Sequence, residues 1–238
     1  MHYDGDAPLR VAEEFFGQRV GGEKHCLLDV GCGFGGTVQH FAKSAGFARA
    51  VGVDVQEEVI RLAYRLLGRC ETSRANKCVL ACADVTTMSR EEVLELTGRP
   101  VTSVISLNTF IHLDEAQMAN AFRLLNQVLT EDGKIYIEDF YLRGTPAGED
   151  RRALATRVGC PYLPTRSEYQ RIIQDANSEW RVDFEDISDG YVRFARNRRM
   201  QSLDAADIHP VEQEFFQLMD SLLSSGVMGG ARIMVKRT

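Results

Sequence analysis

The sequence predicts an α/β protein built on a doubly wound sheet, and three observations carry that reading. Short apolar runs alternate with segments of helical period over the first 140 residues. The first run ends in a glycine-dense turn, Gly31-Cys32-Gly33-Phe34-Gly35-Gly36. An acid stands in or just after each of the first three runs: Asp29, Asp54 and Asp84. Strand, helix, strand in repetition implies βαβ units, and therefore a parallel sheet covered on both faces. A chain of 238 residues that is 44% hydrophobic can bury a sizeable core without staples. A single domain over residues 1–238 is expected.

The elements follow in order. Residues 9–16 read as a short helix ahead of the sheet. Strands are expected at 26–30, 48–53, 78–83, 101–107 and 134–138, with helices at 36–45, 57–67, 90–96 and 115–129 between them. In the last helix Asp114 serves as cap, Met118, Ala121, Phe122, Leu125 and Leu129 share a face, and Gly133 is the stop. The pattern then changes. Residues 141–159 look loop-like, 167–177 helical, and 180–187 alternate as a strand. Helices at 191–203 and 211–224 follow, then Gly226, Gly229 and Gly230 in a turn before a closing strand at 231–236. Residues 1–140 thus form the expected cofactor-binding core. Residues 141–230 are insertions around the last strands, placed either to act as a helical lid over a substrate or to pad the sheet.

Charge and composition exclude several roles. The net charge of −6 works against gripping phosphate backbones, so no nucleic-acid partner is expected. No apolar run approaches the roughly 18 residues of a membrane helix, and MHYDGDAPLR has acids where a signal peptide has bases. A soluble cytoplasmic protein is expected, without membrane partners. The six cysteines form no C-x-x-C pair, so no metal site is expected, and their apolar setting predicts reduced, unpaired thiols.

The glycine turn is the most informative stretch. Glycines there allow unusual dihedrals and let a ligand approach the backbone. Gly31, Gly33 and Gly36 satisfy G-x-G-x-x-G, which also fits a nicotinamide dinucleotide and so leaves an oxidoreductase open. Asp29 separates the two readings, because a carboxylate beside the turn repels a pyrophosphate but attracts an ammonium or sulfonium. S-adenosylmethionine carries both cations. Asp54 is placed to accept hydrogen bonds from ribose hydroxyls, in either kind of nucleoside site. Asp84 can accept an adenine amino group while Val85 packs on the ring.

These motifs resemble the class I S-adenosylmethionine-dependent methyltransferases. The resemblance rests on LLDVGCGFGG (27–36), VGVD (51–54), CAD (82–84), ISLNTFIHL (105–113) and EDGKIYIEDF (131–140). It implies a Rossmann-like seven-stranded sheet, mostly parallel, whose last strand runs antiparallel. It further implies that Asp29, Gly31 and Gly33 surround the methionine end, Asp54 the ribose, and Asp84 with Val85 the adenine. Cys32, Val55 and Leu107 complete the expected cofactor contacts.

The acceptor side is read from the end of the fourth strand. Methyl transfer needs alignment, exclusion of water and removal of a proton where the acceptor carries one. Imidazole changes charge near neutral pH, so His112 is the candidate general base, with Asn108 beside it. The run Asn108 to His112 resembles small-amine N-methyltransferases of the phosphoethanolamine and sarcosine/dimethylglycine types, which implies an amine nitrogen as acceptor; carbon and oxygen stay open. Those enzymes often carry an acid where Asn108 stands. Tyr3 and Tyr141 are the candidates for the substrate tyrosines of the phosphoethanolamine type. Arg193 and Arg196, sharing a helix face, are candidates to clamp a carboxylate or phosphate. Tyr162, Tyr169, Tyr191 and Trp180 are candidates for an aromatic wall around a methylated ammonium.

Overall fold

The computed structural model describes residues 5–19, 23–67, 77–204 and 210–238. The apolar runs become strands β1 (His25–Val30), β2 (Phe47–Asp54), β3 (Cys78–Cys82), β4 (Val101–Leu107) and β5 (Leu129–Leu142). Two later strands, β6 (Trp180–Asp186) and β7 (Met228–Arg237), complete one sheet in the order β3-β2-β1-β4-β5-β7-β6. β1 to β5 pair in parallel, while β7 runs antiparallel to both β5 and β6. This is the mostly parallel, seven-stranded Rossmann-like sheet with an antiparallel last strand. Between β1 and β4 the strand order reverses, and a crevice opens there outside the strand carboxyl ends.

Helices cover both faces. On one side lie α1 (Ala7–Phe16), α2 (Gly36–Lys43) and α3 (Glu57–Leu67), whose Leu9, Phe16, Val38, Phe41, Ile60 and Ala63 pack under the sheet. The other side holds α4 (Arg90–Thr97), α5 (Glu115–Val128) and α7 (Arg166–Ala176), through Val93, Met118, Phe122, Leu125, Ile172 and Ile173. Each of these three helices begins in a reciprocal cap. Asp114 accepts from the Gln117 amide at 2.8 Å while the Gln117 side chain accepts from the Asp114 amide at 2.9 Å. Ser89 with Glu92 and Thr165 with Glu168 do the same for α4 and α7. Such a box satisfies amides that a helix start otherwise leaves bare.

The late region builds a third cluster. α8 (Ser188–Asp204) and α9 (Pro210–Ser224) lie over the strand ends with α6 (Gly148–Ala153) and a π-type turn at Leu154–Val158. Ile111, Leu154, Cys160, Tyr191, Met219 and Met228 are buried between them. α8 sits close on β7 because Gly229 and Gly230 leave room. A Cβ on Gly230 would fall 2.2 Å from the Tyr191 ring, and one on Gly229 would fall 2.5 Å from Ser188 Oγ.

Three expectations change. α5 ends at Val128, not 129, and Gly133 lies inside β5, where a Cβ would meet Leu129 Cγ at 2.4 Å; it permits a close approach instead of stopping a helix. The stretch after 140 is more regular than loop-like, since β5 continues to Leu142 and α6 follows. The cysteines are not all unpaired thiols. Cys26, Cys32, Cys82 and Cys160 are free, but Cys78 is disulfide-bonded; it lies half-buried at the edge of the sheet rather than sealed in the core. No helix among the described residues is long and apolar enough to cross a membrane.

Candidate active site

The crevice at the β1/β4 reversal holds two adjoining hollows of about 1070 and 350 Å³, which share Gly31, Leu107 and Asn108. The larger is lined by Asp29, Gly31, Cys32 and Gly33, the smaller by Asp54, Val55, Asp84 and Val85. The turn between β1 and α2 is built on positive φ angles at Gly31 (75°), Gly33 (51°) and Gly35 (76°). At Gly31 a side chain is excluded twice over, because a Cβ would also lie 2.0 Å from Thr109 Oγ1. The loop after β4 therefore rests directly on this glycine.

Each acid at the strand ends has its own state. Asp29 is 2% exposed, its Oδ2 has no partner among the described residues, and burial beside Asp54 pushes its carboxyl up to about 8. A buried carboxylate without a partner is costly, and a cation entering the larger hollow would relieve it. Asp54 accepts from the Gly33 amide (2.9 Å) and the Gln56 amide (2.9 Å), which fix its carboxylate at the mouth of the smaller hollow. Asp84 receives the Thr86 amide (2.8 Å) and hydroxyl (2.7 Å) on one oxygen, so it is a turn cap as well as a lining residue. Val85 is buried beside it and Val55 is exposed at the rim. Cys32 turns partly into the core, against the bare face of Gly52 and Val38.

Asn108 and His112 stand at a border. Asn108 lines both cofactor hollows and a third cavity of about 260 Å³; His112 lines the smaller hollow and that same cavity. Asn108 holds a left-handed backbone at φ 56°, the one non-glycine residue to do so among those described. Its Oδ1 accepts the Tyr191 hydroxyl from α8 at 2.9 Å. His112 Nδ1 lies 3.1 Å from the Gly159 carbonyl oxygen. A carbonyl only accepts, so in the neutral ring Nδ1 carries the proton and Nε2 keeps its lone pair. Beneath them, Asp139 is fully buried and accepts from the Ile111 amide (3.1 Å) and the Phe140 amide (2.7 Å). Burial pushes its carboxyl up to about 7 although these amides favour the charged form. Asp139 thereby pins the turn that carries His112.

The third cavity is apolar. Ile111, Phe140, Phe194, Phe215, Phe216, Met219 and Leu223 supply most of its wall, and Arg198 is the charged side chain among its described lining residues. The structure separates the remaining candidates from it. Tyr141 follows Phe140 on the strand and so faces the other way, giving its hydroxyl to Asp186 at 2.9 Å. Tyr162 packs against the α5/α7 core, where Tyr169 and Trp180 are fully buried; of the four aromatic candidates Tyr191 lines the cavity. Arg193 borders a separate polar hollow with Arg143 and Asp189. Arg196 is held by α9, at 3.8 Å from Asp220 and 3.3 Å from Ser224. Tyr3 lies outside the described residues. Sequence reading missed Thr109, Asp139 and Arg198. Asp139 alone had a usable signal, an acid just after the apolar run at 134–138.

A crevice with a glycine turn and successive strand-end acids is the arrangement that a nucleoside site in an α/β protein needs. Comparison with known proteins narrows this further. Residues 27–133 match the family model described as "Methyltransferase domain". A comparison of the sequence with curated proteins finds no match. Many solved structures share the fold. A protein provisionally assigned as a sarcosine dimethylglycine methyltransferase from Galdieria sulphuraria aligns with TM-score 0.76 at 12% identity, over 99% of this chain and 90% of its own. The cyclopropane synthase MmaA2 from Mycobacterium tuberculosis gives 0.73 at 16%, over 97% and 83%. Geranyl diphosphate C-methyltransferase from Streptomyces coelicolor gives 0.71 at 16%, over 98% and 79%. Residues 27–133 thus match a methyltransferase domain, and the chain as a whole has the fold of these three proteins. The orphaned Asp29 carboxyl fits the ammonium of S-adenosylmethionine, whereas a nicotinamide dinucleotide leaves it unexplained.

Proposed function

We propose that this chain is an S-adenosylmethionine-dependent methyltransferase acting on a small molecule held in the apolar cavity, with an amine nitrogen as methyl acceptor and His112 as general base. One observation carries the reading: Asn108 and His112 line both the cofactor crevice and the cavity, so a ligand in each would meet beside them. S-adenosylmethionine, when bound, supplies a methyl group on cationic sulfur, already activated for displacement. The chain's own contribution is placement and proton removal. Asp29 would hold the ammonium, Asp54 the ribose hydroxyls, and Asp84 with Val85 the adenine. The apolar wall excludes water. The Gly159 carbonyl and the turn pinned by Asp139 aim His112 Nε2 to take the acceptor's proton.

The test uses purified protein, S-adenosylmethionine and a panel of alkylamines, with products resolved by mass spectrometry. N-methylated products are expected. His112→Ala should lower kcat by about 100-fold or more, with S-adenosylhomocysteine affinity changed by less than about threefold. Undiminished turnover in His112→Ala would end the general-base assignment. A second reading, methylation at carbon, is favoured by the wall itself, whose described residues include no carboxylate to hold an ammonium. Products bearing the new methyl on carbon would select it.

A further inference from the structure

The acceptor cavity has two chemically different ends. Tyr191 and Arg198 both face it from α8. They are seven residues apart on one helix, which sets them about 10 Å apart along its axis. Tyr191 donates to Asn108 and so marks the cofactor end. Arg198 lines neither cofactor hollow and marks the far end. Between them the wall is aliphatic and aromatic.

Arg198 is built in with care. Its guanidinium lies over the Phe216 ring at 5.0 Å. One terminal nitrogen meets Glu212 Oε1 at 3.2 Å, while Nε is buried with no hydrogen-bond partner among the described residues. Glu212 belongs to the first turn of α9 and its side chain is 42% exposed, so it can leave for solvent. A guanidinium with one donor unmet, and another on a replaceable surface carboxylate, is prepared for a planar anion that takes two N–H groups at once.

Resting on the methyl-transfer reading above, we propose that the acceptor is a predominantly apolar carboxylate. Its anion binds Arg198 in exchange for Glu212, and its hydrocarbon body spans the cavity to present the reacting atom beside His112. A carboxylate is favoured over a phosphate because a single guanidinium matches one negative charge. Arg198 is thus separated from Arg193 and Arg196 by the rotation of α8.

The test is calorimetric titration of octanoate, octanol and octyl phosphate into the protein saturated with S-adenosylhomocysteine. Octanoate is expected to bind at least tenfold more tightly than octanol. Arg198→Met should remove that preference while leaving S-adenosylhomocysteine affinity unchanged, which also shows that the variant is folded. Arg198→Lys should recover only part of it, since an ammonium cannot offer the paired donors. Glu212→Gln should tighten octanoate by about threefold by removing the competitor. Equal binding of octanol and octanoate, binding of neither, or a preference that survives in Arg198→Met would overturn the proposal. Tighter octyl phosphate than octanoate would overturn the carboxylate assignment. Failure of S-adenosylhomocysteine itself to bind would instead strike the methyl-transfer reading, so the two failures are distinguishable.

Discussion

The crevice between β1 and β4 and the cavity under α8 and α9 adjoin one another, yet they are made in opposite ways. The crevice is the more polar of the two, and its key groups come from consecutive strand ends: Asp29 from β1, Asp54 from β2, Asp84 just after β3. The cavity is apolar, and its wall comes from side chains more than 80 residues apart in the chain, such as Ile111 and Phe194. A parallel sheet dictates where strand ends lie, so the crevice is positioned by hydrogen-bonded backbone. The cavity is positioned by how two helices rest on a strand. The comparison teaches that cofactor chemistry here is set by topology, and acceptor chemistry by side-chain volume.

Substitutions can break that contrast at points of decreasing effect. The largest effect is expected at Gly31→Ala, which demands an unfavourable backbone worth about 1–2 kcal/mol and displaces Thr109 from a 2.0 Å overlap. S-adenosylhomocysteine binding should fall below calorimetric detection; near-normal affinity would show that the β4 loop yields more readily than its packing implies.

Asp29→Asn is expected to have a split effect. The folded protein holds the Asp29 carboxyl at about 8, above its ordinary 3.8, so the fold favours the protonated form. Wild-type stability therefore declines as pH rises from about 4 to about 8, and Asn, which cannot ionise, should remove that decline. The variant should melt higher than wild type at pH 9 yet bind S-adenosylhomocysteine about 10- to 100-fold more weakly, the worth of a hydrogen bond to a charged partner. In the wild type, binding should also strengthen toward pH 8 as the carboxyl ionises, a trend absent from the variant. Melting curves and titrations across pH 5–9 check both signs. Parallel pH profiles for the two proteins would refute the assignment.

The smallest effect tests the border. Asn108→Ala and Asn108→Gly both lose the bond from Tyr191, but only Ala must hold φ 56° against its own Cβ. The glycine variant should melt a few degrees above the alanine variant, as about 1 kcal/mol implies for a chain of this size. Coincident melting would mean that the loop relaxes out of the left-handed region.

How much of this was legible in the sequence follows the same division. Asp29, Asp54 and Asp84 could be placed because each stands in or just after a short apolar run, and the sheet does the rest. Asn108 and His112 were readable for the same reason, one loop beyond β4. Tyr141 was lost to strand parity, since Phe140 takes the cavity-facing position. Four arginines lie between 193 and 199, and no local pattern tells which one faces inward. That choice is made by the seating of α8 against Gly229 and Gly230, a contact across about 40 residues of chain. Cys78 escaped because its apolar run does not show that β3 will be an edge strand, where the disulfide-bonded Cys78 lies half-buried.

Asn108 has a thermodynamic consequence. A residue that walls two ligand sites and is tied to α8 makes the two occupancies linked quantities. Whatever factor S-adenosylhomocysteine contributes to acceptor affinity, the acceptor must return to S-adenosylhomocysteine. The two affinities then shift together, and the side chain placed between the two hollows is a single neutral amide.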